Sequence, residues 1–119
     1  MVLKILIADD HDMVRETIAM FLDMDGAAQT VPASNLQEAL QKIRSDGPFD
    51  LVLLDYTMPG MKGLEGLKIA LNANGGKPVG LISGTATRLI AEQALAMGAI
   101  GFLPKTLPAK SLVNAVRFM

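Results

Sequence analysis

Cysteine and tryptophan are both missing from this chain of 119 residues, and histidine occurs once, as His11. Without cysteine no disulfide framework can form, which fits a reducing compartment. With one histidine and no thiol, a soft-metal site is not expected either. Charge of one sign is missing too: 11 basic residues face 12 acidic ones, so there is no global basic footprint for nucleic acid. No apolar stretch approaches membrane-spanning length. The opening run, Met-Val-Leu-Lys-Ile-Leu-Ile-Ala-Asp-Asp, is too short and too soon acidic for a signal peptide. Repeats and low-complexity segments are absent. What is present in quantity is hydrophobic residues, 50% of the chain, enough for one compact domain with a real core. The expectation is a soluble, cytoplasmic protein.

The most informative stretch runs from Leu51 to Gly63. Leu51, Val52, Leu53 and Leu54 lead straight into Asp55, and a turn cluster follows at Met58-Pro59-Gly60. A short apolar run bounded by turn signals reads as a strand buried on both faces. Similar runs end at Asp9-Asp10 (Leu3 to Ala8), at Ser83-Gly84 (Val79 to Ile82) and at Pro104-Lys105 (Ile100 to Leu103). A weaker strand over Gln29 to Ala33 contains Pro32, which cannot donate to a ladder and so belongs at a sheet edge. Between the strands, helical spacing appears over Met13–Met24, from Ser34 to about Ser45, over Leu64–Asn72 and over Thr87–Met97, and a last helix is expected from Pro108 onward. Asp12 is a candidate cap for the first helix, and Ser34 with Gln37 forms a capping-box pattern for the second. The methionines at 13, 20, 24, 58, 61, 97 and 119 read as core filler or exposed turns.

Five strands alternating with five helices imply an α/β fold, a doubly wound parallel sheet with helices on both faces. Right-handed crossovers place every strand's C-terminus on one edge. An outermost second strand fits the flavodoxin-like (βα)5 order 2-1-3-4-5, in which strands one and three flank the ligand-binding switch point. Their last residues are Asp9, Asp10 and Asp55. At an effective dielectric of about 20, two such charges roughly 5 Å apart cost on the order of 3 kcal/mol. A hard divalent cation is the natural offset, and Mg²⁺ takes one or two carboxylates together with waters and phosphate oxygens. Ser83 and Lys105 reach the same edge, and a hydroxyl and an ammonium beside a metal carboxylate site suit a phosphoryl group. Asp55 would then be the nucleophile.

Taken together, Asp9-Asp10, Asp55 with Met58-Pro59-Gly60 and Gly63, Ser83-Gly84, Gly98-Ala99 and Phe102 with Lys105 resemble the receiver domain of two-component response regulators, across essentially the whole chain. The early Asp-Asp-His and late Gly-Phe-Leu-Pro-Lys look most like the NarL/FixJ (LuxR-type) branch. The resemblance implies that Asp55 accepts a phosphoryl group from a sensor histidine kinase. It implies that Asp9, Asp10, Asp55 and the backbone carbonyl of Thr57 hold Mg²⁺, that Lys105 contacts the phosphoryl group, and that Ser83 and Phe102 are switch positions. It implies a phosphoacceptor with slow autodephosphorylation rather than an enzyme. Residues 1–119 are then one receiver domain, excised or stand-alone, with excision favoured; DNA would be bound only through a C-terminal effector absent here. Thr57 and Thr85 flank the site and suggest a moderate phosphoryl lifetime. The fourth helix, apolar on more than one face, suggests a homodimer through the fourth helix, fifth strand and fifth helix. His11 reads as a loop residue. The alternatives are a phosphorylation-independent docking module, a Mg²⁺-dependent phosphohydrolase with an aspartate nucleophile, and flavin binding. The second would need a general acid where Thr57 stands, and the third a phosphate loop where Asp9-Asp10 stands.

Overall fold

The computed structural model describes residues 3–24, 26, 28–85, 87–108, 110–111 and 114–115. Five parallel strands, β1 (Leu3–Ala8), β2 (Ala28–Ala33), β3 (Leu51–Asp55), β4 (Val79–Ser83) and β5 (Phe102–Pro104), form one sheet in the order β2-β1-β3-β4-β5. The connections are α1 (Asp12–Asp23), α2 (Leu36–Asp46), α3 (Glu65–Ala73) and α4 (Arg88–Ala96). The expected fifth helix falls largely outside the described residues; of its span, Lys110, Ser111, Asn114 and Ala115 are helical.

Alternation along the strands builds two cores. Leu6, Ala8, Val52, Leu54, Val79 and Leu81 face α2, α3 and α4, which contribute Leu36, Ala39, Ile43, Leu67, Ala70 and Ala94. Ile5, Ile7, Leu51, Leu53 and Ile82 face the other way, onto Ile18 and Leu22 of α1. β1, β3 and β4 are therefore apolar on both faces, which is why their sequences are unbroken apolar runs. Pro32 sits opposite Ile7 on the outer strand β2, where its missing N–H costs no ladder bond. At the far edge Pro104 ends β5 in the same way, opposite Ser83.

Three local expectations shift by a residue or two. Asp12 is not the cap of α1: His11 occupies that position in extended backbone with no side-chain cap, and Asp12 instead pairs with Arg15 Nη2 at 2.8 Å. Nor do Ser34 and Gln37 form a capping box. Asn35 caps α2, its Oδ1 accepting from Glu38 N at 2.8 Å, while Ser34 Oγ donates to Glu38 Oε2. β5 starts at Phe102 rather than Ile100, which is 47% exposed. Of the methionines, Met58 and Met61 are core filler, while Met13, Met20, Met24 and Met97 are exposed; Met119 lies outside the described residues.

Candidate functional site

The carboxyl edge of the sheet is assembled from the residues that end its strands. Beyond β1, Asp9 N donates to Ala33 O at 3.0 Å. Asp55 is the last residue of β3, and Tyr56 N then donates to Ile82 O at 2.9 Å. Lys105 follows β5 and is tied to β4 through its N–H to Ser83 O at 2.8 Å. The turn after Asp55 is held closed by Gly60, whose φ of +93° favours glycine; a Cβ there would sit 3.1 Å from Leu36 Cβ.

Asp9 and Asp55 are fully buried, and the Lys105 side chain is 13% exposed. Lys105 Nζ lies 2.9 Å from Asp55 Oδ2 and 3.1 Å from Asp9 Oδ1, both hydrogen bonds. It also lies 3.0 Å from Asp9 Oδ2, without hydrogen-bond geometry, so that buried oxygen makes no hydrogen bond among the described residues. Asp55 Oδ1 accepts from both the N–H and the hydroxyl of Thr57, at 3.1 Å each. Burial opposes ionisation of Asp55, but the Lys105 ammonium and the Thr57 N–H outweigh it and hold the carboxyl below its ordinary range. Burial likewise opposes charge on Lys105, yet Asp55 and Asp9 raise its pKa. Asp10 is raised, by desolvation and by its neighbour Asp55.

Asp9, Asp10, Asp55 and Lys105 thus come together as the sequence predicts. Ser83 ends the neighbouring strand, 3% exposed, its Oγ accepting from Thr85 N at 3.2 Å. Phe102 is half-buried, its ring centroid 6.5 Å from that of Tyr56. Two members were missed. His11 Nδ1 is 3.0 Å from Lys105 Nζ, and one ligand atom from each of Asp9, Asp10, His11 and Asp55 lies within 4.8 Å of the others. Arg15 Nη1 donates to Asp9 O at 2.8 Å while Nη2 holds Asp12, bracing the turn that carries both carboxylates. The signals were contiguity for His11 and the three-residue spacing from Asp12 for Arg15. The donor set suits a hard divalent cation: three carboxylates, one of them with a buried oxygen lacking a hydrogen bond.

The family model for the response regulator receiver domain matches residues 5–117. This chain belongs to that family. The receiver domain is 36% identical over 114 residues to the glycerol metabolism activator of Pseudomonas putida, covering 95% of this chain and 52% of that protein. It is 35% identical over 115 residues to the transcriptional regulatory protein LnrK of Bacillus subtilis, covering 96% of this chain and 52% of that protein. The chain therefore spans about half the length of these curated relatives. Among solved structures, it is similar to the signal receiver domain of a response regulator NarL from Mycobacterium tuberculosis, with a TM-score of 0.84, 34% identity and coverage of 98% and 94% of the two chains. Receiver domains of this kind are signalling domains rather than enzymes. No helix among the described residues is long and apolar enough to cross a membrane.

Proposed function

We propose that this receiver domain is the phosphorylation-controlled switch of a two-component system, with Asp55 accepting a phosphoryl group from the phosphohistidine of a sensor histidine kinase. The observation that carries this reading is a fully buried Asp55 carboxylate, held ionised, with the Lys105 ammonium 2.9 Å from it and Asp9 and Asp10 alongside. Mg²⁺, held by Asp9, Asp10, Asp55 and the carbonyl of Thr57, would supply the charge that neutralises phosphoryl oxygens.

The chain's own residues do the rest by positioning and charge. Asp55 forms the new P–O bond as the P–N bond to the donor imidazole breaks; the imidazole keeps the electron pair and takes up a proton. Lys105 turns from the carboxylates to a phosphoryl oxygen, and the Ser83 hydroxyl donates to another. Phosphoaspartate carries about two negative charges at pH 7, which draws Ser83 inward and leaves room for Phe102 to follow. That biases a pre-existing equilibrium rather than creating a new state. Phe102 has no hydroxyl, so the switch rests on ring packing, with Tyr56 as its neighbour. The readout face is α4, β5 and the helix beyond, where Leu89, Leu95 and Met97 are exposed and a homodimer would form. The relatives' names support a role in transcription regulation, with DNA contacted only through an effector domain in the longer protein.

Intact mass after incubation with acetyl phosphate, with and without Mg²⁺, tests the reading. One added phosphoryl group is expected on the wild type with Mg²⁺, and none on Asp55→Asn. An equal adduct on Asp55→Asn overturns it, as does no adduct from either acetyl phosphate or a phosphorylated kinase domain.

A further inference from the structure

The Lys105 ammonium has one more N–H than its carboxylate neighbours take. An ammonium carries three N–H groups and accepts nothing. Two of them go to carboxylates, to Asp55 Oδ2 at 2.9 Å and to Asp9 Oδ1 at 3.1 Å. Asp9 Oδ2 is as near, at 3.0 Å, but it lies outside hydrogen-bond geometry and is an ion-pair contact only. The third N–H has His11 Nδ1 before it, at 3.0 Å. That nitrogen is also 3.2 Å from Asp9 Oδ1, and it can serve one of these partners at a time. It donates to Asp9 when it carries a proton, and it accepts from Lys105 when it presents a lone pair. Asp9 Oδ1 already accepts from the His11 backbone N–H at 2.8 Å and from Lys105. The ammonium still has a proton to place, so the lone-pair form satisfies more of the groups present.

We infer that His11 is a positioning residue for phosphoryl transfer: its Nδ1 accepts the third N–H of Lys105 and holds the ammonium over Asp55. This rests on the proposed role of Asp55 as phosphoacceptor. Lysine has a flexible four-carbon stem, so its charge is placed well only when both ends are held. The backbone N–H of Lys105 is tied to Ser83 O at 2.8 Å, and the His11 backbone is tied in turn to Asp9. The two carboxylate bonds cannot persist during transfer, because Asp55 becomes the attacking group and Lys105 turns to the phosphoryl oxygens. The imidazole bond is the one it need not break. In its accepting form His11 is neutral, so it does not compete for the positive charge as a carboxylate does. The imidazole is 61% exposed where Asp9 and Asp55 are fully buried, so it stands at the mouth of the site, where a phosphoryl group enters. Nδ1 lies 3.7 Å from Asp55 Oδ2, so the ammonium it holds stays beside the nucleophilic carboxylate.

The nitrogen resonances of the chain's one imidazole, in the labelled wild type at one fixed, slightly alkaline pH, test the contact. Nδ1 is expected in the lone-pair form with Nε2 protonated, and Lys105→Ala is expected to shift its resonance. A protonated Nδ1 overturns the inference, since such a nitrogen cannot accept from an ammonium; this is read on the unaltered chain and needs no variant to fold. Phosphoryl uptake from acetyl phosphate at saturating Mg²⁺ tests the role, on the wild type, His11→Ala, Lys105→Ala and the double variant. His11→Ala should slow the maximal rate about 3- to 10-fold, the scale of one net hydrogen bond, with the half-saturating acetyl phosphate concentration unchanged. In the Lys105→Ala background the same substitution should change the rate less than about twofold, because the group it positions is gone. Equal slowing in both backgrounds, or none in either, overturns the inference. A wild type that takes up no phosphoryl group, from acetyl phosphate or from a phosphorylated kinase domain, overturns the preceding proposal and the positioning role with it, while the Nδ1 resonance still reports whether the His11–Lys105 bond exists.

Discussion

The two ends of the sheet bury polar groups in opposite ways. At the amino end Asn74, fully buried just past α3, exchanges two hydrogen bonds with the backbone of Phe49: its Oδ1 accepts from Phe49 N at 2.8 Å, and its Nδ2 donates to Phe49 O at 3.0 Å. A neutral amide with both functions satisfied is a stabilising arrangement. At the carboxyl end Asp9 and Asp55 are just as buried, but they are charged, share one ammonium, and leave one oxygen without a hydrogen bond among the described residues. The first end is finished as the chain folds. The second keeps an electrostatic cost that a cation can relieve, and that difference marks it as the candidate site.

Removing Lys105 should show the largest effect. Phosphoryl uptake by Lys105→Ala should slow about 10²-fold, the scale for losing one charged donor at the transferring group. The metal-free fold should lose about 2–3 kcal/mol in urea titration, because breaking a buried pair strands its partners; the residual exposure of Lys105 puts it below the full range. Saturating Mg²⁺ should restore most of that stability by mass action. If Mg²⁺ restores nothing, the carboxyl end is an ordinary structural ion pair and the contrast between the two ends fails.

Asn74→Ala is the matched experiment at the other end. It leaves the N–H and C=O of Phe49 without their partner in a buried setting, at a cost of about 2–3 kcal/mol. Here Mg²⁺ should recover none of the difference, and Mg²⁺ affinity and phosphoryl uptake should match the wild type. A change in either would couple the two ends through the sheet.

Within the site, Asp55 and Asp10 contribute to stability with opposite signs. Asp55 has a lowered pKa, so its contribution is present above the ordinary carboxylate range and is lost as pH falls through the folded-state value. Asp10 has a raised pKa, so its ionised form disfavours the metal-free fold at neutral pH, and that penalty disappears on acidification. Asp10→Asn should therefore melt about 2–4 °C higher than wild type without metal at pH 7. With saturating Mg²⁺ the order should reverse, because the variant has lost a ligand. A variant that melts lower in both conditions would show Asp10 to be structural.

Why the site could be read from sequence follows from these same features. The strands that carry Asp9, Asp55 and Ser83 are buried on both faces, so their apolar runs stop where the sheet ends, and the next polar residue marks the edge. Pro32 placed β2 outermost because a missing N–H has one tolerable position. His11 was harder. Its contact with Lys105, 94 residues away in sequence, depends on a side chain folding back over the carboxyl edge, and no local pattern encodes it. Asn74 was hard to read in the same way: its amide finds Phe49 25 residues earlier, again beyond any local pattern. Capping failed by one position, since Ser34 and Asn35 are both good caps and only the tertiary fit at Pro59 O, which accepts from Leu36 N at 3.1 Å, fixes where α2 begins.

That last ambiguity yields the smallest and cleanest comparison. Asn35 and Asn74 carry the same amide, and each accepts one backbone N–H at 2.8 Å. Asn35 is half-buried at a helix start, where water can replace the lost acceptor; Asn74 is sealed from solvent. Asn35→Ala should therefore cost about 1 kcal/mol, the usual value of an N-cap, against the larger loss at Asn74. Gln37→Ala, at the position a capping box from Ser34 would use, should change stability by less than about 0.5 kcal/mol, as exposed helix positions do. If Gln37→Ala costs as much as Asn35→Ala, the helix starts one residue earlier in solution, and solvent access no longer explains why two identical amides differ.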